Sequence, residues 1–381
     1  MCLVGGAVRD MLRGAKPKDW DLATDAPPGE VAEIFGGARP KAKVIPTGIK
    51  HGTVTVLYKG RGIEVTTYRT ESGYGDGRRP DRVDYAATIE EDLSRRDFTM
   101  NAVALRLVPG GIRGKKVDPF GGEADVRAGV IRCVGDPAER FAEDGLRPLR
   151  AARFAAQLGF RPEARTLEAM AGALASSAKV SAERVRDEIE KILASPRPSD
   201  GFRLMEETGL LGLFLPELAA CRGIEQKGFH RFDVLDHSLL ACDYAAEKGH
   251  PPPSRLAALL HDCGKAVTQG IDEAGVRTFH RHEEASEKIA RAVLGRLRFA
   301  NALADSVCVL VREHMFHYKD EWGDAAVRRF VVRVGRGNLP GLYRLRMADA
   351  FATAGCPPPR ASFCRLPKGL KRCLPGSPPF R

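Results

Sequence analysis

The sequence contains no apolar run approaching the roughly 18–20 residues needed to cross a bilayer, which argues against a helical membrane span. Its short apolar start is interrupted by Arg9, Asp10 and Arg13, which reads against a signal peptide, so the expected location is the cytoplasm. There is no C-x-x-C pair and no Cys/His cluster of zinc-like spacing. The nine cysteines are scattered and odd in number, as expected of reduced thiols. Cys263, although beside a motif described below, is given no role. No internal repeat is visible. Acidic residues are in deficit, 49 against 60 basic, and the resulting charge of +11 suits a polyanionic partner. Part of that excess is local: the last 26 residues carry six basic side chains and no acidic one. They also hold seven prolines and no clear periodicity, so 356–381 is expected to be a poorly ordered tail.

What is present is enough for two or three domains, with 381 residues of which 43% are hydrophobic. The first 125 residues mix short strands and helices. Cys2 to Val4 is an apolar run ending in Gly5-Gly6, with a helix-like stretch after it. Val54 to Leu57 and Ile63 to Thr67 are β-rich, and Lys59-Gly60-Arg61-Gly62 between them predicts a hairpin turn. Residues 70–88, polar and glycine-rich, read as a mobile loop. From about residue 138 the pattern is helical, with a helix expected over Ser181 to Leu193 capped by Ser181. Residues 226–355 also read as helical. The expected organisation is a head over 1–125, a helical neck and body over 126–225, a second functional domain over 226–355, and the tail.

Two constellations carry chemistry. In the first, twelve residues separate Gly6 from Asp19-Trp20-Asp21. Positions two apart on a strand share a face, so Asp19 and Asp21 would project together as oxygen ligands for Mg²⁺. Two such ions could activate a 3′-hydroxyl and neutralise a departing pyrophosphate. Gly5-Gly6 before a helix would let backbone N–H groups approach a triphosphate, and Glu64 on the predicted hairpin could complete the metal site. A D-x-D or a Gly-Gly alone is usually a solvated strand or a plain turn, and the weight lies in the combination. Further on, Asp144, Arg147, Arg150 and Arg153 recur every three residues, near one face of a helix. An Asp acceptor beside an Arg donor matches the hydrogen-bonding edge of cytosine or adenine, and mismatches uracil and guanine.

The order Gly-Gly, Asp-x-Asp, later carboxylate resembles the DNA polymerase β superfamily of nucleotidyltransferases. The longer blocks "GGAVRDMLRGAKPKDWDLATDA", "RRDFTMNA", "DPFGG" and "EDGLRPLRAARF" resemble the successive motifs of class II tRNA nucleotidyltransferases, the CCA-adding enzyme and poly(A) polymerase family. The resemblance implies an α+β fold: a polymerase-β-like head with a small mixed sheet, then an all-α neck and body. It implies that Asp19 and Asp21 hold Mg²⁺ with Glu64 as the third catalytic carboxylate. It places Gly5, Gly6, Arg9 and Asp10 at the nucleotide, Arg96 at its triphosphate, and Asp97 and Asn101 around its sugar. Asp144 and Arg147 would read the incoming base in place of a template, with Arg150 and Arg153 in support. CTP, ATP and tRNA are the implied partners; no protein partner and no membrane are expected. The implied activity is addition of C and A to the 3′ end of tRNA, with A-adding, CC-adding or poly(A)-adding activity as alternatives. "TYRTESGYGDGRRPDRVDYAATIEEDLSRRDFTMNA" is similar to the flexible-loop region of CCA-adding enzymes, and favours the first. The chain starts almost on its first strand, where family members usually have a helix before it. After Phe351 the resemblance stops, so the helices that guide tRNA are expected to be absent.

The second constellation is His237, then His261-Asp262-Cys263-Gly264-Lys265, then His280, His282, Glu283, His314 and His317, then Asp349. Seven of the nine histidines fall between His237 and His317. Imidazole and carboxylate ligands suit Mn, Fe, Ni, Co or Mg, and a water activated by such an ion attacks phosphoesters. The order resembles the HD superfamily of metal-dependent phosphohydrolases, with a helical fold. It implies that His237, His261, Asp262 and Asp349 hold a divalent metal of unspecified identity, that Lys265 meets a phosphate, and that His282 and His314 hold a second metal or the substrate. The rivals to the transferase reading are a phosphohydrolase with a relic head, and an RNA-binding protein with both sites impaired.

Overall fold

In the computed structural model the described residues are 1–37, 42–49, 52–73, 82–108, 114–226, 231–316 and 322–354. The expectation of a disordered tail, and His317, lie outside them. The chain divides into two compact units, residues 1–151 with 158–180, and residues 152–157 with 181 onward.

The first unit opens with β1 (Cys2–Val4), α1 (Gly6–Leu12), β2 (Asp21–Thr24), α2 (Pro28–Gly36), β3 (Lys43–Gly48), β4 (Thr53–Tyr58), β5 (Arg61–Thr67), β6 (Arg69–Ser72), β7 (Arg82–Tyr85) and α3 (Ile89–Ser94). It continues with β8 (Ala104–Arg106), β9 (Lys116–Val117), α4 (Gly122–Ala128), β10 (Val130–Ile131), α5 (Pro137–Glu143), α6 (Arg147–Leu158), β11 (Arg161–Pro162), α7 (Ala164–Gly172) and α8 (Leu174–Ser177). Seven strands form a mixed sheet in the order β3-β4-β5-β2-β1-β8-β9, where β2 and β5 run parallel and every other pair is antiparallel. β1 lies deep in the sheet and is buried on both faces, as its unbroken apolar run requires. Cys2 and Val4 pack with Tyr68, Ile89 and Leu93, while Leu3 packs on the other face with Ala7 and Val8 of α1. The expected hairpin is there: Lys59 and Gly60 turn it with φ of 47° and 76°, the positive pair that suits a two-residue connection.

Two local expectations need correction. The segment 70–88 is not wholly a loop, because its flanks pair as the β6–β7 hairpin; residues 74–81 lie outside the described part. Alternating Thr70, Val83 and Tyr85 supply the β character that its glycines masked in the sequence. Asp144 is also not on the helix that carries the arginines. It stands in extended backbone between α5 and α6, its carboxylate accepting the Leu146 N–H at 3.0 Å. Pro148, in the first turn of α6, is the signal for a helix start there.

The second unit is α9 (Ala182–Leu193), α10 (Pro198–Glu207), α11 (Leu210–Phe214), α12 (Pro216–Ala219), α13 (Val234–Glu247), α14 (Pro252–Leu260), α15 (Lys265–Thr268), β12 (Gln269–Ile271), β13 (Arg277–Phe279), α16 (His282–Arg296), α17 (Asn301–Glu313), α18 (Asp324–Val334) and α19 (Leu339–Ala354). Ser181 does precede α9, but its side chain makes no capping hydrogen bond. α13 packs between α14 and α19, and α14 packs on α17. The β12–β13 hairpin interrupts what reads in sequence as continuous helix. Among the described residues no helix is long and apolar enough to cross a membrane.

Candidate active sites in the two units

In the head, the carboxylates gather where β2 meets β5. Asp21 opens β2 and pairs in register with Glu64, so the two side chains stand side by side on neighbouring parallel strands. Asp19 does not lie on the strand, as the two-residue spacing suggests; it occupies the bend before β2. It is still close enough to act on Asp21. Burial, Glu64 and Asp19 push the Asp21 carboxyl above its ordinary pKa, and Arg96 only partly opposes them. A carboxylate cluster that resists its own charge suits a cation. Gly5 makes room for this arrangement. Its φ is +69°, and a Cβ there would sit 3.0 Å from the Arg96 guanidinium and 3.5 Å from Asp21.

Around the carboxylates the arginines are held by protein acceptors. Arg9 donates to the Asn101 side chain at 2.9 Å and to Asp10 at 2.8 and 3.0 Å. Arg96 reaches Asp92 at 3.3 Å and the Asn101 carbonyl at 3.5 Å. Asp97 accepts a two-pronged contact from Arg150 at 2.6 and 2.8 Å, and also the Asn101 amide at 3.1 Å. Burial alone would raise the Asp97 carboxyl, but Arg150, the Asn101 hydrogen bond and Arg147 hold it well below the usual carboxylate range. Arg147 is buried and clamped by the Glu143 carboxylate, the Arg140 carbonyl at 2.7 Å and the Arg95 carbonyl at 3.4 Å. Its guanidinium is thereby fixed beside the turn that carries Arg96 and Asp97. Arg153 is placed elsewhere, in the second unit, against Glu188 at 2.7 Å and over the Phe154 ring at 4.2 Å. Glu143 was missed in the sequence reading, although it adjoins Asp144 in the same motif.

The second unit brings its histidines together. His237 on α13, His261 closing α14, Asp262 beside it and Asp349 on α19 converge. The His237 and His261 Nε2 atoms are 3.1 Å apart; His237 lies 3.4 Å from Asp262 Oδ2 and 3.3 Å from Asp349 Oδ1. Asp262 faces a second set with its other oxygen: Oδ1 is 3.3 Å from His282 Nε2 and 3.5 Å from His314 Nε2. His237, His261 and Asp262, and likewise Asp262, His282 and His314, are the groups of three or more converging metal-type ligands among the described residues, and the head's carboxylates do not form another.

The tautomers follow from the hydrogen bonds. His261, His282 and His314 each direct Nδ1 at a backbone carbonyl, Ala258 at 2.9 Å, Phe279 at 3.0 Å and Val311 at 2.7 Å. A carbonyl only accepts, so Nδ1 carries the proton and the neutral ring presents a lone pair at Nε2. Those lone pairs point at each other and at carboxylate oxygens. Asp262 Oδ1 is buried without a donor in hydrogen-bonding geometry. Facing acceptors repel unless a cation lies between them, and the donor set fits divalent metal. Without the metal a proton at Nε2 takes the same place: burial would raise the Asp262 and Asp349 carboxyls, but imidazoles that carry one hold both well below their ordinary pKa, with Lys265 adding to the effect at Asp262.

Gly264 explains how α16 comes so close. A Cβ there would lie 2.3 Å from the His282 carbonyl and 2.5 Å from the Ser286 nitrogen. Lys265 is buried and shared between Asp262 and Gln226, at 2.6 Å each. Arg346 holds the outer oxygen of Asp349 at 2.8 Å. Neither Gln226 nor Arg346 carries a motif signal in the sequence; only the fold brings them there. His280 is exposed and outside both ligand sets.

Comparison with known proteins finds matches in both units. The chain matches the family models of the poly A polymerase head domain over residues 1–132, the probable RNA and SrmB-binding site of polymerase A over 159–222, and the HD domain over 234–354. A CCA-adding enzyme of Lactobacillus helveticus is 47% identical over 207 residues, which are 54% of this chain and 49% of that protein, so the match spans about half the curated relative. The solved structure of the Bacillus stearothermophilus CCA-adding enzyme in complex with CTP is 30% identical, with a TM-score of 0.68, covering 98% of this chain and 77% of that one. The Thermotoga maritima CCA-adding enzyme complexed with tRNA, 22% identical with a TM-score of 0.59 over 93% of this chain and 75% of its own, shares the fold. The chain belongs to the family of CCA-adding enzymes.

Proposed function

We propose that the protein adds C and A nucleotides, from CTP and ATP, to the 3′ end of tRNA without a template, using Mg²⁺ held by Asp19 and Asp21. Glu64 is the third carboxylate, and Gly5, Gly6, Arg9, Asp10, Arg96, Asp97 and Asn101 surround the nucleotide. When bound, the metal supplies charge neutralisation at the transferring phosphate and lowers the pKa of the attacking hydroxyl. The 3′-oxygen bonds to the α-phosphorus, the bond from that phosphorus to the pyrophosphate oxygen breaks, and pyrophosphate leaves.

The observation that carries this reading is the clamped Arg147 guanidinium, on the residue whose backbone N–H meets the Asp144 carbonyl at 3.0 Å. Fixed by Glu143 and two carbonyls, it cannot turn to suit each base, so it offers one donor pattern, and cytosine and adenine match it with Asp144. The Bacillus stearothermophilus relative, solved with CTP, supports the same assignment. Arg150 acts through Asp97, and Arg153 holds the middle of the helix through Glu188. The test is incubation with tRNA lacking its 3′ CCA, Mg²⁺ and labelled CTP or ATP. Absence of incorporation from either would sink the reading, and incorporation of one alone would make the protein a CC-adding or A-adding enzyme.

A second activity is favoured by the paired ligand sets that share Asp262. We infer a metal-dependent phosphohydrolase acting on RNA ends such as 2′,3′-cyclic or 2′-phosphates, with His237, His261, Asp262 and Asp349 as ligands and His282 and His314 at a second position. Mn²⁺, Ni²⁺, Co²⁺ and Mg²⁺ should be compared on 2′,3′-cyclic nucleotides; no hydrolysis with any of them refutes it.

A further inference from the structure

The roles above leave part of the head unused. Two adjoining cavities of ≈ 370 and ≈ 430 Å³ share Trp20 and Arg61 in their walls. Lys16, Lys18 and Asp19 line the first, and Tyr58 and Lys59 the second. The groove is therefore rich in cations and contains two aromatic rings, with a candidate catalytic carboxylate at one end.

Its cations differ from those at the nucleotide. Arg9, Arg96, Arg147 and Arg150 are all engaged by protein acceptors. Lys16, Lys18 and Arg61 are exposed, and none has an ion-pair partner among the described residues. Lys59 leans over the Tyr58 ring at 5.4 Å. Unneutralised positive charge beside aromatic faces is the chemistry that holds single-stranded nucleic acid, where phosphates meet cations and bases meet rings.

The topology decides which substrate this serves. Asp21 and Glu64 stand on β2 and β5. On one side of them, Gly5 and Gly6 follow β1 and Asn101 lies just before β8, the ground assigned to the nucleotide. On the other side, the groove is built from the start of β5 and the end of β4. In-line phosphoryl transfer needs the attacking oxygen and the departing pyrophosphate on opposite sides of the reacting phosphorus. We propose that this groove holds the single-stranded 3′ end of the RNA acceptor, with its phosphates on Lys16, Lys18 and Arg61 and its path ending at Asp19. The assignment rests on the transferase reading, and it adds the site for the second substrate.

The test is the full-length triple variant K16A/K18A/R61A, whose three exposed positions leave the core intact, checked by its melting curve. With tRNA ending before its CCA, the KM for RNA should rise roughly tenfold or more, while the KM for CTP stays within about twofold. The slope of log affinity against log salt should fall by about 2, for three lost contacts to a single strand. An RNA KM within about twofold of wild type would overturn the proposal, as would a CTP KM that rises as far as the RNA KM. If the wild-type protein transfers no nucleotide, the transferase reading fails by itself. Filter binding of an end-labelled RNA oligonucleotide then still decides the groove: weakened binding by the triple variant supports it, and unchanged binding refutes it.

Discussion

The contact between Arg150 and Asp97 joins the two motifs on which the nucleotide site depends, and its strength can be measured. Asp97 is only 8% exposed, and two guanidinium nitrogens reach the same carboxylate oxygen, at 2.6 and 2.8 Å. Removing one partner of a buried pair typically costs about 3–5 kcal/mol, because the other charge is stranded. The Arg150 side chain is 32% exposed, so water screens part of that cost, and about 2–3 kcal/mol is expected for Arg150→Met. Asp97→Asn keeps the shape and removes the charge. The double variant should recover much of the loss, with a coupling of about 1.5–2 kcal/mol. Urea unfolding reads this cleanly in a Trp322→Phe background, where Trp20 is the remaining tryptophan of two and reports the head alone. The pH dependence has a defined sign. Asp97 titrates well below its unfolded value of about 3.9, so the contribution is complete above about pH 5, begins to decline near pH 4 and is lost progressively as pH falls further towards the folded value. A coupling below about 0.5 kcal/mol at pH 7 would refute the argument that this pair locks the α6 arginines to the Asp97 turn.

Asp21→Asn should abolish nucleotide addition in a labelled-CTP assay while leaving the metal-free head as stable or more stable on thermal melting, since burial and Glu64 disfavour the charge that it removes. Gly264→Ala should cost about 1–3 kcal/mol or more from overpacking against the His282 carbonyl. It should strip metal from the second unit by elemental analysis while CMP addition persists; retained metal would show that the close approach of α16 is dispensable. His250 supplies a pH signature outside both sites. Burial and the charges of Arg344 and Arg255 push its imidazole down to about 4. The unfolded chain then binds more protons between about pH 6.5 and 4, so stability falls as pH drops across that window, and His250→Leu should flatten the fall in a melting series.

The motif residues were legible in the sequence because they are short-range patterns with fixed spacing. The β4–β5 hairpin was legible too, since Lys59-Gly60 is a local turn signal. What escaped was set by distant chain segments. Nothing around Asp97 or Arg150 announces that they meet across 53 positions of sequence. Asp144 reads as helical by its spacing, but an extended residue beside Gly145 breaks the run. Asp19 reads as part of a strand, yet β2 begins at Asp21, where pairing with Val4 and Glu64 begins. The β12–β13 hairpin is three residues a side with an exposed face, too short for alternation to show against helical flanks.

The two sites solve the same electrostatic problem in opposite ways. Asp21 is half-buried among carboxylates, and its pKa is raised, so the cluster resists holding all its charge at once. Asp262 is more deeply buried still, yet its carboxyl and that of Asp349 are depressed, because imidazoles lie against both and Lys265 contacts Asp262. A cation entering the head therefore relieves repulsion between carboxylates, and its occupancy should depend on proton competition at Asp21. A cation entering the second unit competes instead with cationic neighbours already in place: Lys265 shares Oδ2 of Asp262 with the His237–His261 side. Loading there requires Lys265 to yield part of that contact, and Gln226, 2.6 Å from the same ammonium, is positioned to keep it. On the proposed reading, a metal at the head would compete with protons, and one in the second unit with Lys265.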